Sequence, residues 1–337
     1  MKPKRLLSGF LAVCCTFSAF ASLKLPVAAA DDWQEDSAPL RQNISIHNST
    51  DTTFQDAPVL VELDASQISS QNAIRFYLEG EDQELPYEVE SWNPAGTSTV
   101  WVQIPQLTAN EDTTIYGYYN GEATQTQGQD VWNDTFALVE HFQDGDMGTD
   151  STGKASGKVT GTLQTTQGTV GSGAVFTGAQ EITYGPLLSG ESAFTISAVI
   201  DSDDPDAWVG IAGRDKNGGV KDGDTYFLGI SGGSGQFIGR FYGTNNPKTT
   251  YEVNAPFSKG DHVLTLSYDG SKLELYLDGV LKGTKTAKGG QVLSDPATNL
   301  VLGAYSDGGL TNPFQGRYDE IQISSQATSA DWEQFRA

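Results

Sequence analysis

Cysteine, methionine and histidine are nearly missing from this 337-residue chain, at two, two and three residues. The cysteines are adjacent, Cys14 and Cys15, and the histidines are scattered, so little material exists for a zinc or iron site. Positive charge is also scarce. Lys and Arg number 20 against 43 Asp and Glu, a net charge of −23. Without a basic footprint the composition argues against nucleic acid and anionic membrane surfaces as partners. After Phe20 no apolar run is long enough to span a bilayer, and no stretch keeps a 3.6-residue period. What is abundant is glycine, at 38 residues, and aromatic side chains, with 13 Tyr, 15 Phe and six Trp. That balance describes an acidic globular protein able to bury proper cores, and it names no chemistry.

The first thirty residues read as a secretory signal peptide. Lys2, Lys4 and Arg5 form a basic start, Leu6 to Phe20 an apolar run, and small residues at Ala19/Ala21 and Ala28/Ala30 offer two A-x-A cleavage points. Cleavage after Ala30 is preferred over cleavage after Ala21, because the acidic start Asp31, Asp32 follows. It removes both cysteines, so no disulfide is expected in the exported chain. It also takes Lys2, Lys4, Arg5 and Lys24 and no acid, which deepens the charge from −23 to −27. The expected localisation is therefore periplasmic, cell-surface or extracellular. A rival is lipid anchoring at Cys14, where Leu11-Ala12-Val13-Cys14 approaches a lipobox with Val13 in place of a small residue.

From Asn43 onward the pattern alternates with a period of two, as in Ile44, Ile46, then Val59, Val61, Leu63. Further strand signals lie at Ile74 to Leu78, Thr99 to Ile104 and Thr114 to Tyr119, bounded by Gly, Pro, Asn or Asp. Trp92 and Trp101 are expected to fill the core of this half. Residues 123–130 lie in a polar, Gly- and Gln-rich stretch that reads as a linker. After Val131 strands return every ten residues or so. The clearest are His262 to Tyr268 and Lys272 to Leu277, joined through Asp269-Gly270-Ser271, with Leu273, Leu275 and Leu277 on one face and Lys272, Glu274 and Tyr276 on the other. Thr328 and Asp331 have capping-box spacing for one or two helical turns over 329–335. The expected fold class is all-β: two antiparallel β-sandwich domains, 31–122 and 131–337, the second a jelly roll.

Catalytic patterns come close without completing. Gly229-Ile230-Ser231-Gly232-Gly233 matches a nucleophile elbow, but another strand follows where a helix is required, so it reads as a hairpin turn. Gly148 to Lys154 approaches a phosphate loop, but Ala155 replaces the magnesium-holding hydroxyl. Retaining glycoside hydrolysis needs two carboxyls about 5–5.5 Å apart. No Glu-x-Asp-x-Glu run places them on one strand face, and Pro86 interrupts Glu84 and Glu88. His47, His141 and His262 sit in separate strands as satisfied structural residues. No catalytic residue is assigned.

Two binding sets stand out. Asp144, Asp146 and Asp150 share a Gly-containing loop, while Asp319 and Glu320 sit on the last strand; carboxylate oxygens on an irregular loop suit calcium, although a solvated acidic loop has the same appearance. A sugar needs an aromatic platform with polar groups around it, and Trp208, Arg214, Tyr226, Arg240 and Tyr242 fall on neighbouring strands or their ends. Alternate aromatics in a sandwich also fill cores.

Beyond these sets the second half resembles a laminin-G-like (concanavalin A-like lectin/glucanase) jelly roll of bacterial surface proteins. The resemblance is carried by Val131-Trp132 through Val139-Glu140-His141-Phe142, the Asp150 to Gly153 loop, Val170 to Phe176, Phe194 to Ala198, Leu277-Asp278-Gly279 and Phe314 to Ser324. The first half resembles the domain of unknown function that often precedes such jelly rolls, in Pro58 to Asp64, Ile74-Arg75-Phe76, Leu85 to Trp92, Val100-Trp101-Val102 and Tyr116 to Asn120. It departs from that pattern at Ala73, where an Asp is usual, and in the order Tyr119-Asn120-Gly121. The resemblance implies an exported protein of the cell envelope, with a calcium that would map onto Asp144, Asp150 and Asp319. Some relatives of the first domain are linked with the proton-channel family of the TonB energising system. The expected function is non-catalytic binding or adhesion, with carbohydrate as ligand through the jelly roll. Two alternatives stay open, an interaction protein beside a TonB/ExbB-type transport complex and a polysaccharide hydrolase or lyase, because a shared fold does not fix a ligand.

Overall fold

The computed structural model describes residues 16–17, 34–122, 128–215, 225–247, 249–305 and 310–337. The expectations for the leader, apart from the two-residue strand Thr16–Phe17, and for most of the linker fall outside these residues. The chain divides into two compact units that meet in sequence at Asn133 and Asp134. Among the described residues no helix is long and apolar enough to cross a membrane, which leaves strand-built barrels aside.

The first unit is built from two antiparallel sheets. Leu40–Asn48, Glu111–Tyr119 and Ile74–Leu78 pair in that order, with Thr16–Phe17 at the edge. Phe54–Asp64, Thr97–Leu107 and Tyr87–Ser91 form the second. The alternating residues that predicted strands are the ones buried: Ile44, Ile46, Val59, Val61 and Leu63. Phe76 and Tyr87 meet edge to face across the sheets, with centroids 5.5 Å apart. Trp101 is buried as expected, and because it lies between Val100 and Val102 the pleat turns it to the face opposite theirs. There its ring sits 5.3 Å from that of Trp132, and the two indoles donate to Glu90 and Glu88 over 2.6 Å each. Trp132, read from sequence as part of the second domain's opening, thus packs in the first unit. Trp92 follows the end of its strand and is only half-buried.

Among the described residues the second unit is also two antiparallel sheets, of eight and seven strands. Gln164–Gln167, Ser172–Thr177, Gln315–Ser324, Phe194–Ser202, Asp261–Tyr268, Lys272–Leu277 and Val280–Thr286 run in order across the first, and Phe136–Glu140 pairs with Gln315–Ser324. The second runs Tyr251–Pro256, Gln236–Phe241, Tyr226–Ser231, Val209–Arg214, Leu300–Leu302, Glu181–Tyr184 and Lys158–Thr160. One apolar core fills the space between them, drawing Ile196, Leu264, Leu266 and Leu275 from the larger sheet and Leu228, Ile230, Phe237 and Phe241 from the smaller. The Gly229 to Gly233 segment ends the Tyr226–Ser231 strand and enters, at Gly232, the hairpin turn its sequence suggested.

The 261–286 meander forms as expected, but Glu274 and Tyr276 on its polar side are buried rather than solvated. The C-terminal helix Ala330–Phe335 contributes to that side: its buried Glu333 accepts from Thr265 Oγ1 at 3.0 Å. The helix is capped by Ser329, whose Oγ accepts the Trp332 amide at 3.1 Å. Thr328, the predicted cap, instead donates its hydroxyl to Glu333.

Candidate functional site: the outer face of the seven-stranded sheet

The five residues grouped from sequence as a sugar platform separate onto the two faces of one sheet. Val209, Ile211 and Ala212 all point into the core, because a β-bulge shifts the register between Gly210 and Ala212. Strict alternation would have left Arg214 on the same side as Trp208. The extra residue reverses the phase and turns Arg214 inward. Its register partner Tyr226 shares that inner face, in line with Leu228 and Ile230. Arg214 is fully buried and donates to the carbonyls of Leu187, Leu293, Asp295 and Thr298 and to Ser189 Oγ. Tyr226 donates its hydroxyl to Leu187 O at 3.3 Å. Both tie loops to the sheet, and neither faces solvent. Their assignment to a ligand platform is corrected.

Trp208 and Arg240 do share the outer face, with neighbours that sequence reasoning did not include. Phe227, Arg240 and Glu252 are register partners on three adjacent strands and form one row across the sheet. Arg240 Nε donates to Glu252 at 2.7 Å, and Nη1 donates to the Tyr305 hydroxyl at 2.9 Å. The guanidinium carbon lies 5.0 Å above the Trp208 ring and 5.8 Å from Phe227. Tyr305 packs on Phe227 with centroids 4.7 Å apart and on Trp208 at 5.7 Å. Two glycines make the bed for the Phe227 ring. A Cβ at Gly229 would run into it, and one at Gly213 would lie 2.8 Å from it. Tyr242 follows the inward Phe241 and continues the outer row of Ile238 and Arg240, but it is itself buried.

Burial of the guanidinium disfavours its charge, yet the hydrogen bond and negative charge of Glu252 outweigh that and hold the Arg240 pKa above its ordinary value. Arg240 is therefore a fixed cation, 17% exposed, with Glu252 beside it at 38%. Its Nη2 and the indole Nε1 of half-buried Trp208 make no hydrogen bond to any described residue. An apolar ring with unspent donors beside a carboxylate is equipped to hold an amphipathic, hydroxyl-rich molecule.

The acidic set does not fit a shared cation. Asp150 is nearly buried, and its two oxygens already accept five hydrogen bonds, from the amides of Val139, Thr152, Lys154 and Ala155 and from Thr152 Oγ1. It pins the loop to the Phe136–Glu140 strand. Asp319 is fully buried on the eight-stranded sheet with Oδ2 against the Thr169 and Val170 amides, and Asp144 accepts from Thr165 Oγ1 at 2.9 Å. Among the described residues Asp144, Asp150 and Asp319 do not bring three ligand atoms within 4.8 Å of one another.

Two buried glutamates on paired strands also bear on catalysis. Glu140 points inward with Leu138, taking the Tyr184 hydroxyl at 2.5 Å and the Phe142 amide at 3.0 Å, and burial pushes its pKa up to about 7. Glu320 alternates with the inward Ile321 and so lies on the other face, where it meets His141 Nδ1 at 2.7 Å. The sheet stands between the two carboxyls, and they cannot flank one glycosidic bond. The remaining histidines pair with Asp112 and Asp278, at 2.8 and 2.9 Å.

Residues 172–332 match the family model described as Concanavalin A-like lectin/glucanases superfamily, and residues 70–154 match Domain of unknown function (DUF2341). The chain joins a domain of unknown function to a concanavalin A-like domain. No curated protein matches the chain. Solved structures similar to the chain include domain 4 of AbnA, a GH43 extracellular arabinanase from Geobacillus stearothermophilus, in complex with arabinotriose. It is 19% identical with a TM-score of 0.47, covering 60% of this chain and 98% of that one. The Ruminococcus gnavus IT-sialidase CBM40 bound to α2,3 sialyllactose is 19% identical with a TM-score of 0.36, covering 43% and 82%. The receptor binding domain of botulinum neurotoxin C/D mosaic serotype is 16% identical with a TM-score of 0.46, covering 61% and 51%.

Proposed function

We propose that the concanavalin A-like domain binds carbohydrate without turning it over, on the outer face of its seven-stranded sheet, in a protein that acts outside the cytoplasm. The observation that carries this reading is the Trp208–Arg240–Tyr305 group. A half-buried indole lies under a guanidinium that Glu252 and Tyr305 hold in place, and the indole N–H and Nη2 are left for a ligand. Pyranose C–H faces stack on such rings while the hydroxyl rim takes the polar groups. Because the partners of Arg240 are already in position, little side-chain ordering remains to oppose binding. The basic start, apolar run and A-x-A sites of the first thirty residues support export.

A glycan array followed by calorimetry on the full chain and Trp208→Ala tests the binding reading. Binding of at least one oligosaccharide is expected, weakened about tenfold or more by the substitution. Absence of binding across the array, or release of reducing sugar from a bound glycan, would refute it. Amino-terminal sequencing of protein recovered from the medium or periplasm tests export, with Asp31 as the expected first residue.

A further inference from the structure

We infer that this outer-face site reads a pair of neighbouring hydroxyls on a neutral sugar, and that the Arg240–Glu252 pair is the reading element. The inference rests on the carbohydrate-binding reading above and adds to it the chemical class of the ligand. A cationic arginine in a binding site first suggests an acidic sugar. Three observations point the other way.

The first is that Glu252 already balances the Arg240 charge. Its Nε lies 2.7 Å from a Glu252 carboxylate oxygen, and the two residues are direct register partners on adjacent strands. An incoming carboxylate would approach both charges at once. Like-charge repulsion from Glu252 would offset much of its attraction to Arg240. The second is what each residue leaves unspent. Arg240 uses Nε and Nη1 within the protein, while Nη2 has no described partner. Glu252 uses Oε2, while Oε1 accepts no hydrogen bond from a described residue. The pair therefore offers a donor and an acceptor side by side. One hydroxyl can accept from Nη2 and the next can donate to Oε1, a match that a carboxylate, which has no proton to give, cannot make. The third is the charge of the whole chain. At −23, and at −27 without the leader, its field repels polyanions and leaves neutral ligands unaffected.

The half-buried Trp208 ring, one face of which the guanidinium covers, borders the pair on its apolar side. Arg240 is thus a positioning and recognition residue whose role depends on Glu252. That dependence separates it from a simple anion site.

The test uses the full chain, a panel of neutral oligosaccharides (gluco-, xylo-, manno- and arabino-oligosaccharides), and an acidic panel of oligogalacturonates, alginate oligomers and sialyllactose. Binding is measured by calorimetry at about 0.05 M and about 0.5 M salt, a range over which an exposed charge–charge contact loses most of its strength. A neutral member is expected to bind best, with affinity changing less than about twofold across the salt range. Glu252→Gln and Arg240→Lys are each expected to weaken it by about tenfold, since each breaks the donor–acceptor pair. Their melting temperatures and near-ultraviolet dichroism serve as the folding control. If Arg240→Lys does not fold, Glu252→Gln alone decides. An acidic glycan bound more tightly than any neutral one by the unsubstituted chain, with strong salt dependence, overturns the inference while leaving the carbohydrate-binding reading standing; tighter acidic binding by Glu252→Gln supports it, because the substitution lifts the repulsion that excludes a carboxylate. Binding to neither panel removes both.

Discussion

Two arginines on the same sheet, Arg214 and Arg240, show what a strand's two faces ask of one residue type. Arg214 faces inward, and its donors all end on loop carbonyls and a serine hydroxyl of its own chain. Arg240 faces outward and spends two nitrogens on Glu252 and Tyr305 while leaving the third. Each keeps aromatic company, Tyr226 inside and Trp208 outside. A guanidinium whose three nitrogens are all engaged is a structural tie, because each already has an acceptor it would lose. A partly saturated one is fixed in place and still able to bond. The number of unspent donors therefore identifies a ligand-facing arginine better than its residue type or its aromatic neighbours do.

Substitutions on the two faces should produce opposite phenotypes. The largest effect is expected from Arg214→Ala, which strands four carbonyls and a hydroxyl in a buried site and should cost about 3–5 kcal/mol in urea unfolding. Protein that remains folded should keep its glycan affinity. A loss of affinity at unchanged stability would erase the distinction between the faces.

Next in size is a pH effect from the inner side of the same unit. Burial raises Glu140 to about 7 against an ordinary 4.5, and burial likewise raises Asp319 to about 7. Between the two values the folded chain holds protons that the unfolded chain has released, so stability falls as pH rises through about 4.5 to 7. Above that window the penalty is complete, about 3 kcal/mol for Glu140. Thermal melts should therefore run higher near pH 5 than near pH 8. Glu140→Gln, which still accepts from Tyr184 or the Phe142 amide, should flatten the dependence by roughly half, with Asp319 supplying the rest. An unchanged slope would show that Glu140 does not titrate in this range.

On the outer face Trp208→Ala should do the reverse of Arg214→Ala. Glycan affinity should fall about tenfold while unfolding free energy moves by about 1 kcal/mol. A larger stability loss with affinity intact would place Trp208 with the structural residues. The smallest effect is expected from a chelator. Because Asp150 is saturated by the amides of its own loop and of Val139, removing divalent cations should shift the melting temperature by less than about 1 °C. A fall of several degrees would reinstate a cation at the acidic set.

The parts of the site legible in the sequence were those governed by local rules. Trp208 and Arg240 stood near strand signals and do share a face. Alternation in Tyr226-Phe227-Leu228-Gly229-Ile230 already assigns Phe227 outward and Tyr226 inward, a signal that the pattern of aromatics alone obscured. Arg214 was beyond reach for a different reason. A single bulge near Ile211 inverts its direction, and a bulge is a property of the pairing, with no fixed signature in one strand. Glu252 and Tyr305 lie 12 and 65 residues from Arg240, and only the register of three strands and the path of a loop bring them to it.

Taken alone, the order of amino acids determined that this chain is all-β, that it has two sandwich-forming halves, and which alternate positions are oily. Those properties depend on neighbours one or two residues apart, where the pleat acts. Tertiary structure decided which side chains became a recognition surface and which became internal ties. That choice depends on strand register, one bulge and contacts between distant segments, because an arginine's chemistry is set by how many of its donors the fold has already used.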